Sequence, residues 1–299
     1  MYNTRIQTRA AEAFASELMN NGYVILRDAV ASSLIADVEA GLSDRFEATP
    51  FCQGAFYGER TKRFGRLLVR SSHMAGLVMH STILSLVDEA LGPWCERIQL
   101  NLTQAIEVHP GAPAQFPHRD QDMWAGETGR IEYLVNVMWP LSPFTGENGA
   151  TLIWPRSHGA AALQAEPDGE PIVAKANPGD AVVFLGSTLH GAGHNRACSV
   201  RRGIIVSYCL GWLKPYENQW LAYPPQTARD FAPELAALVG YAQHRPNLGN
   251  FEGQCPSVLF EGYPAEPLAA IDALRPDQTA MLAEHVAQDR QAGALGNGS

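Results

Sequence analysis

The sequence predicts an α+β fold in which β structure dominates: an antiparallel sandwich or barrel with helices gathered toward the N-terminus. Three observations predict it. Helical apolar spacing is concentrated in the first third of the chain, short runs rich in β-branched and aromatic residues follow from Trp94 onward, and Pro and Gly separate those runs.

Taken in order, Arg9 to Met19 carries apolar residues at helical spacing, and Asn20, Asn21 and Gly22 supply a stop. A short strand is expected from Tyr23 to Leu26. Residues 31–46 read as a second helix with Ser32 or Ser33 as its cap, and Ser81 to Leu91 as a third, closed by Gly92 and Pro93. Strands are expected at 97–108, 131–139, 150–154, 181–186 and 202–212. Residues 214–299 are loop-rich, with a final helix from Asp277 to Gln291 and a Gly-rich tail, Gly293 to Ser299, expected to fray. We expect a single domain over 1–299, with a helical part at 1–93, a strand-rich core at about 94–213 and a C-terminal extension at 214–299.

Composition narrows the function. Hydrophobic residues make up 46% and charged residues 18% of the 299, which fits a folded chain with a large core and excludes a disordered one. The formal charge of -9 opposes a nucleic-acid partner, since phosphate contact needs clustered Lys and Arg, and the Arg60 to Arg70 stretch is broken by apolar residues. The five cysteines form no CxxC pair, so neither a zinc knuckle nor a disulfide framework is expected. No run approaches the roughly 18 consecutive apolar residues of a spanning helix, and a cytoplasmic protein without a membrane partner is expected.

The chemistry is concentrated in two segments. In Gln115-Phe-Pro-His118-Arg-Asp120, a histidine and a carboxylate stand two residues apart, and on extended backbone both point to the same face. An HxD pair alone is weak evidence, because most such pairs are ordinary surface or core residues. The second segment adds weight: Asn177-Pro-Gly-Asp180, an apolar strand, His190, His194 and Asn195, then Arg201 and Arg202 opening another apolar strand. Two histidines and one carboxylate on one face of an octahedron leave three positions open, which suits iron(II) holding a bidentate cosubstrate together with oxygen.

These segments resemble those of the phytanoyl-CoA dioxygenase family of iron(II) and 2-oxoglutarate enzymes over roughly residues 14–250. The resemblance rests on Gly22-Tyr-Val-Ile-Leu, on Thr61-Lys62-Arg63 with Leu67 and Arg70-Ser71, on Asn148-Gly-Ala-Thr151-Leu-Ile-Trp-Pro-Arg-Ser-His158 and on Pro178-Gly-Asp180. It implies a double-stranded β-helix, the cupin-like jelly roll, with the metal at its mouth. By it, His118 and Asp120 match the family's HxD and His190 its distal histidine; His194 and Asp122 are the rivals, and His190 has the family's spacing to Arg201. Cofactors implied are Fe(II), with 2-oxoglutarate and O2 as cosubstrates. Arg201 matches the arginine that holds the distal carboxylate of 2-oxoglutarate. Adjacent Arg202 points to the opposite face, so only one of the two can fill that role. Gln115 and Thr151 resemble further cosubstrate contacts, and either could instead cap a neighbouring backbone. One of Arg63, Arg66 and Arg70 could add a carboxylate contact.

For the substrate pocket the residues singled out are Tyr57, Arg70, Met123, Trp124 and Trp212. Most aromatic residues in a sandwich are core; Trp124 stands out because it closely follows the ligand segment, in a loop with Gly126 and Gly129 suited to a lid. The resemblance is nearest to the family branch that acts on small metabolites, including natural-product scaffolds, so a small-molecule substrate and hydroxylation of a C–H bond are expected. Desaturation, ring expansion, epoxidation or endoperoxide formation would use the same ligands. Asp120 speaks against the halogenating variants, which lack that carboxylate. The other readings are a jelly-roll metalloenzyme that does not use 2-oxoglutarate, which would leave the distal arginine unexplained, and a non-catalytic binding member, which would have lost a ligand. A homodimer is suggested by the apolar residues of the C-terminal extension.

Overall fold

Among the described residues of the computed structural model (2–165, 167 and 169–296), nine strands form two antiparallel sheets. The unit Met1–Pro224 holds all of them. Its order is α1 (Tyr2–Asn21), β1 (Tyr23–Leu26), α2 (Ser32–Ala48), β2 (Thr61–Phe64), α3 (Met74–Val78), α4 (Ser81–Leu91), β3 (Ile98–Val108), β4 (Leu134–Pro140), β5 (Thr151–Ile153), α5 (Ala160–Leu163), β6 (Ile172–Val173), β7 (Ala181–Leu185), β8 (His190–Ala192), β9 (Arg201–Leu210) and α6 (Gln219–Ala222). The larger sheet runs β1-β7-β4-β9-β3-β2 and the smaller β6-β5-β8. Two antiparallel sheets with these crossovers, preceded by helices, make the jelly roll that the resemblance implied.

Strand alternation sets what each face of the larger sheet meets. Inward residues Leu102, Ile106, Met138, Val182, Phe184 and Ile205 join Phe144 and Ile153 in one buried cluster between the sheets. The outward residues Val137, Trp139, Ile204, Val206 and Tyr208 are buried too. Helix α4 packs against β3, β4 and β9. Its Ile83, Leu86, Val87, Ala90 and Leu91 recur at helical spacing on one buried stripe. Deleting one of these side chains, as in Leu86→Ala, costs about 2–5 kcal/mol. The Tyr208 hydroxyl donates to the Val78 carbonyl at 2.6 Å and ties this layer together.

Several local expectations are corrected. Neither Ser32 nor Ser33 caps α2: both lie inside it, and Ala31 occupies the cap position without a side-chain bond. Helix α4 is capped instead by His80, whose Nδ1 accepts from the Ile83 N–H. The α-helix itself ends at Leu91 with Gly92 as its cap, as expected, and a 3-10 turn, Gly92–Trp94, follows it. Strands β2, β6 and β8 have no counterpart in the sequence reading. In the Pro-Gly-Asp turn before β7, Gly179 has φ +106°, and Asp180 accepts from the backbone N–H groups of Asn177 and Asp28 at 2.9 and 3.0 Å.

The second unit, Pro225–Ser299, carries α7 (Pro225–Ala228), α8 (Pro233–Leu238), a 3-10 turn (Pro256–Glu261) and α9 (Pro276–Gly296). Its small core includes Leu235, Ala236, Leu238 and Val239, with the rings of Tyr241 and Phe260 4.9 Å apart. Helix α9 runs to Gly296, into the tail expected to fray; residues 297–299 lie outside those described. Among the described residues no helix is long and apolar enough to cross a membrane.

Candidate metal centre

The segment before β4 approaches the smaller sheet as an additional strand. His118 and His190 exchange backbone hydrogen bonds, His118 N to His190 O at 2.9 Å and the reverse at 3.0 Å. His190 opens β8 opposite Ile153 of β5. Arg119 is extended (φ -117°, ψ 125°), so His118 and Asp120 emerge on the same side, and a 3-10 turn, Asp120–Met123, then carries the chain away.

One ligand atom each from His118, Asp120 and His190 lies within 4.8 Å of the others. His118 Nε2 is 3.4 Å from one Asp120 oxygen and His190 Nε2 3.6 Å from the other. Both imidazoles donate from Nδ1 to a backbone carbonyl, that of Phe116 at 2.8 Å and of Thr188 at 3.0 Å. That places the proton on Nδ1 and turns each Nε2 lone pair toward the carboxylate, the tautomer a metal ligand needs. Asn136, fully buried on β4, donates to Asp120 Oδ2 at 2.9 Å. One carboxylate oxygen is thereby engaged and the other left for an ion. The donor set fits a divalent cation of the iron type, with one face of its coordination sphere occupied.

The protonation balance agrees with this. Burial would raise the Asp120 carboxyl, but His190, then His118 and Asn136, hold it below the ordinary carboxylate range. Burial pushes the His190 imidazole down, so it is neutral and able to coordinate near neutral pH. For His118 burial is outweighed by the hydrogen bond its protonated ring donates to Asp120 and by that carboxylate's charge, and its pKa lies above the usual imidazole value. An ion would compete with that proton.

The three ligands line a cavity of roughly 370 Å³ together with Arg63, Arg201, Gln115, Thr151, Tyr57 and Met123. Arg201 points inward from β9 and is buried. It donates to the Gly149 carbonyl and lies over the Phe144 ring at 4.5 Å, but its Nε has no hydrogen-bond partner among the described residues. Burial, then Arg63, push its pKa down to about 9, which still leaves it charged at neutral pH. Arg63 of β2 donates to Gln104 Oε1 at 3.1 Å, and its own Nε also lacks a partner among the described residues. Of Arg63, Arg66 and Arg70, Arg63 is the one that lines this cavity: it pairs with Ile106, an inward position.

Gln115 links the ligand segment to β8 by accepting from Ala192 N at 3.3 Å, and Thr151 lines the cavity from β5. Arg202, on the other face of β9, pairs with Glu107 at 2.7 Å. Asp122 reaches the cavity wall without joining the ligand cluster, and His194 does neither. Three residues expected in the pocket do not line this cavity. Arg70 turns its guanidinium to the Gly65 carbonyl and the Phe64 ring. Trp124 donates from its indole to the Lys214 carbonyl at 2.9 Å, and Trp212 to that of Trp94 at 3.0 Å. Tyr133 stands edge-on between these two indoles and bonds through its hydroxyl to the Glu127 carbonyl, which pins the loop expected to act as a lid. Sequence reasoning missed Tyr216, whose hydroxyl meets that of Tyr57 at the cavity. It lies just past the last strand, where no periodicity marks a facing direction.

Comparison with known proteins places these features in a family. A family model described as phytanoyl-CoA dioxygenase matches residues 18–203. The dioxygenase trt7 of Aspergillus terreus is 29% identical over 244 residues, covering 76% of this chain and 82% of the relative. The multifunctional dioxygenase ausE of Aspergillus calidoustus is 33% identical over 204 residues, covering 61% and 67%. Among solved structures, the epimerase SnoN from nogalamycin biosynthesis, in complex with Fe3+, alpha ketoglutarate and nogalamycin RO, superposes with a TM-score of 0.56 at 17% identity, over 90% of this chain and 97% of its own.

Proposed function

Because the chain belongs to the phytanoyl-CoA dioxygenase family, we propose that it is an iron(II)- and 2-oxoglutarate-dependent oxygenase that oxidises an unactivated C–H bond of a small-molecule metabolite. The observation that carries the proposal is a His-Asp-His face sharing its cavity with a buried guanidinium that no carboxylate pairs with among the described residues. A jelly-roll metalloenzyme that does not use 2-oxoglutarate would have no use for that charge.

In this reading His118, Asp120 and His190 hold the ion, and Arg201 would receive the distal carboxylate of the cosubstrate through its planar fork. Gln115, Thr151 and Arg63 would contact the remainder. When bound, iron(II) with 2-oxoglutarate and O2 supplies the oxidising equivalents for breaking a C–H bond, with succinate and carbon dioxide as coproducts. The protein's part is orientation. Phe184 packs on His190 with ring centroids 4.6 Å apart and Phe56 on His118 at 4.9 Å, which limits how either imidazole can swing. Leu102, Met138 and Ile205 make the wall beside the ligands apolar, so that water is disfavoured and an apolar carbon skeleton favoured. Tyr57, Tyr216 and Met123 would meet the substrate.

The dioxygenase relatives from Aspergillus and a neighbour from nogalamycin biosynthesis support a natural-product-like substrate. The five cysteines, all free, are in keeping with a reducing cytoplasm. We take the whole chain, 1–299, as one oxygenase, and the exposed Leu248, Tyr263, Ile271 and Met281 support a homodimer, which light scattering would test. The function is tested by anaerobic titration with Fe(II) and then 2-oxoglutarate, watched for the weak visible charge-transfer band, followed by succinate assay against a metabolite library. A protein that binds neither would refute it.

A further inference from the structure

The turn from Gly186 to Leu189 delivers His190 to the metal centre, and it is held by side chains that the proposed chemistry does not use. Glu132 accepts twice from Ser187, from its backbone N–H at 3.0 Å and its hydroxyl at 2.6 Å. On the other side Arg119, which stands between His118 and Asp120 in the chain, donates from Nε to the Ser187 carbonyl at 3.0 Å and from a terminal nitrogen to the Ser157 carbonyl at 3.1 Å. Ser157 Oγ accepts from the Leu189 N–H at 2.8 Å and donates to the Trp154 carbonyl at 2.6 Å. The rest of the turn is equally tied. Gly186 bonds the Leu134 carbonyl through its N–H and the Gln121 N–H through its carbonyl, and Thr188 Oγ1 donates to the Gly22 carbonyl at 2.8 Å.

Glu132 is the costly member of this set. Among the described residues no Lys, Arg or His pairs with it, and desolvation of its carboxylate pushes the pKa up to about 7 in spite of the bonds from Ser187. A desolvated carboxylate without a cation destabilises a fold, and a glutamine of nearly the same shape would accept from the Ser187 N–H without a charge. Its two oxygens fix both the peptide and the side chain of one residue, three positions before His190. Arg119 grips the same residue from the ligand segment. The two metal-bearing stretches are therefore braced through Ser187 as well as through the His118–His190 backbone pair.

We propose that Glu132 is a positioning residue of the metal centre: with Arg119 opposite, it locks Ser187 and so sets the direction from which His190 Nε2 meets His118 and Asp120. The inference rests on the metal reading given above. Residues that orient metal ligands from outside the coordination sphere typically change metal affinity by about 10–100-fold when removed. The test is anaerobic titration of the apoprotein with Co(II), read by affinity and by the visible d–d absorption, beside thermal unfolding of the apoprotein. Glu132→Ala and Ser187→Ala should each weaken Co(II) binding about 10–100-fold and alter the absorption. Asp180→Ala removes a carboxylate anchored in a different turn, and should lower Tm with Co(II) affinity and spectrum unchanged. Wild-type affinity and spectrum in both Glu132→Ala and Ser187→Ala would overturn the inference; if Glu132→Ala does not fold, Ser187→Ala decides alone. Failure of the wild-type protein to bind Co(II) would instead bring down the metal reading and this inference with it.

Discussion

The two faces of the larger sheet treat the same kind of charge in opposite ways, and neighbouring residues of β9 show it. On the outer face Arg202 pairs with Glu107 at 2.7 Å and Glu39 at 3.4 Å, and Glu107 is also met by His109 at 2.6 Å and Lys62 at 3.6 Å. On the inner face Arg201 and Arg63 are both desolvated, both pushed down in pKa chiefly by burial, and each has a guanidinium nitrogen without a partner among the described residues. The outer network is complete as the chain folds. The inner one leaves those nitrogens unsatisfied, as the proposed function requires of a site for the cosubstrate's carboxylate. Charge placement thus separates a structural network from the proposed binding site on a single sheet.

The strongest way to break this comparison is to remove the inner carboxylate. Asp120→Ala should abolish the charge-transfer band formed with Fe(II) and 2-oxoglutarate, a loss beyond the roughly 100-fold reached by residues outside the coordination sphere; retention of the band would mean that the ion sits elsewhere. Next in size is Arg201→Met. A charged hydrogen-bonding contact is worth about 1.5–3 kcal/mol, so KM for 2-oxoglutarate should rise about 10- to 150-fold. Since the replaced guanidinium lacks a carboxylate partner, Tm of the apoprotein should hold or rise. A fall in Tm with KM unchanged would make Arg201 structural and erase the contrast between the faces.

How much of this was legible in the sequence follows from where periodicity reaches. The i, i+2 spacing put His118 and Asp120 together because Arg119 is extended, and strand parity separated Arg201 from Arg202. Strand β2 escaped notice because Lys62 and Arg63 break its apolar pattern, which also left Arg63, Arg66 and Arg70 equivalent until register with β3 sorted them. Strand β8 is a His-Gly-Ala segment with no strand propensity of its own, formed by its pairing with β5 and with the His118 segment. Trp124 and Trp212 lie outside the cavity lining for a related reason: proximity in the chain to a ligand or a strand end says nothing of direction once the backbone leaves regular structure. The brace at Ser187 depends on Glu132 and Ser157, separated by loops whose course no local pattern encodes.

The outer face offers the smaller, complementary effects. Arg202→Met leaves the desolvated Glu107 with His109 and Lys62 alone, and should cost about 1–3 kcal/mol of stability while KM for 2-oxoglutarate stays at the wild-type value, the reverse of Arg201→Met. Its pH dependence sharpens the contrast further. Burial would raise the Glu107 carboxyl, but the bonds from Arg202 and His109 outweigh it and hold the group below its ordinary value of 4.5. A carboxyl lowered in the folded state contributes stability that is fully present above the unfolded-state value and is lost as pH falls through the folded-state value. The difference in Tm between wild type and Arg202→Met should therefore be largest near neutral pH and shrink as acidification protonates Glu107, as measured by thermal unfolding from neutral to acidic pH. A difference that persists unchanged at still lower pH would assign the effect of Arg202 to its packing over the Phe46 ring, at 4.6 Å, in place of its charge.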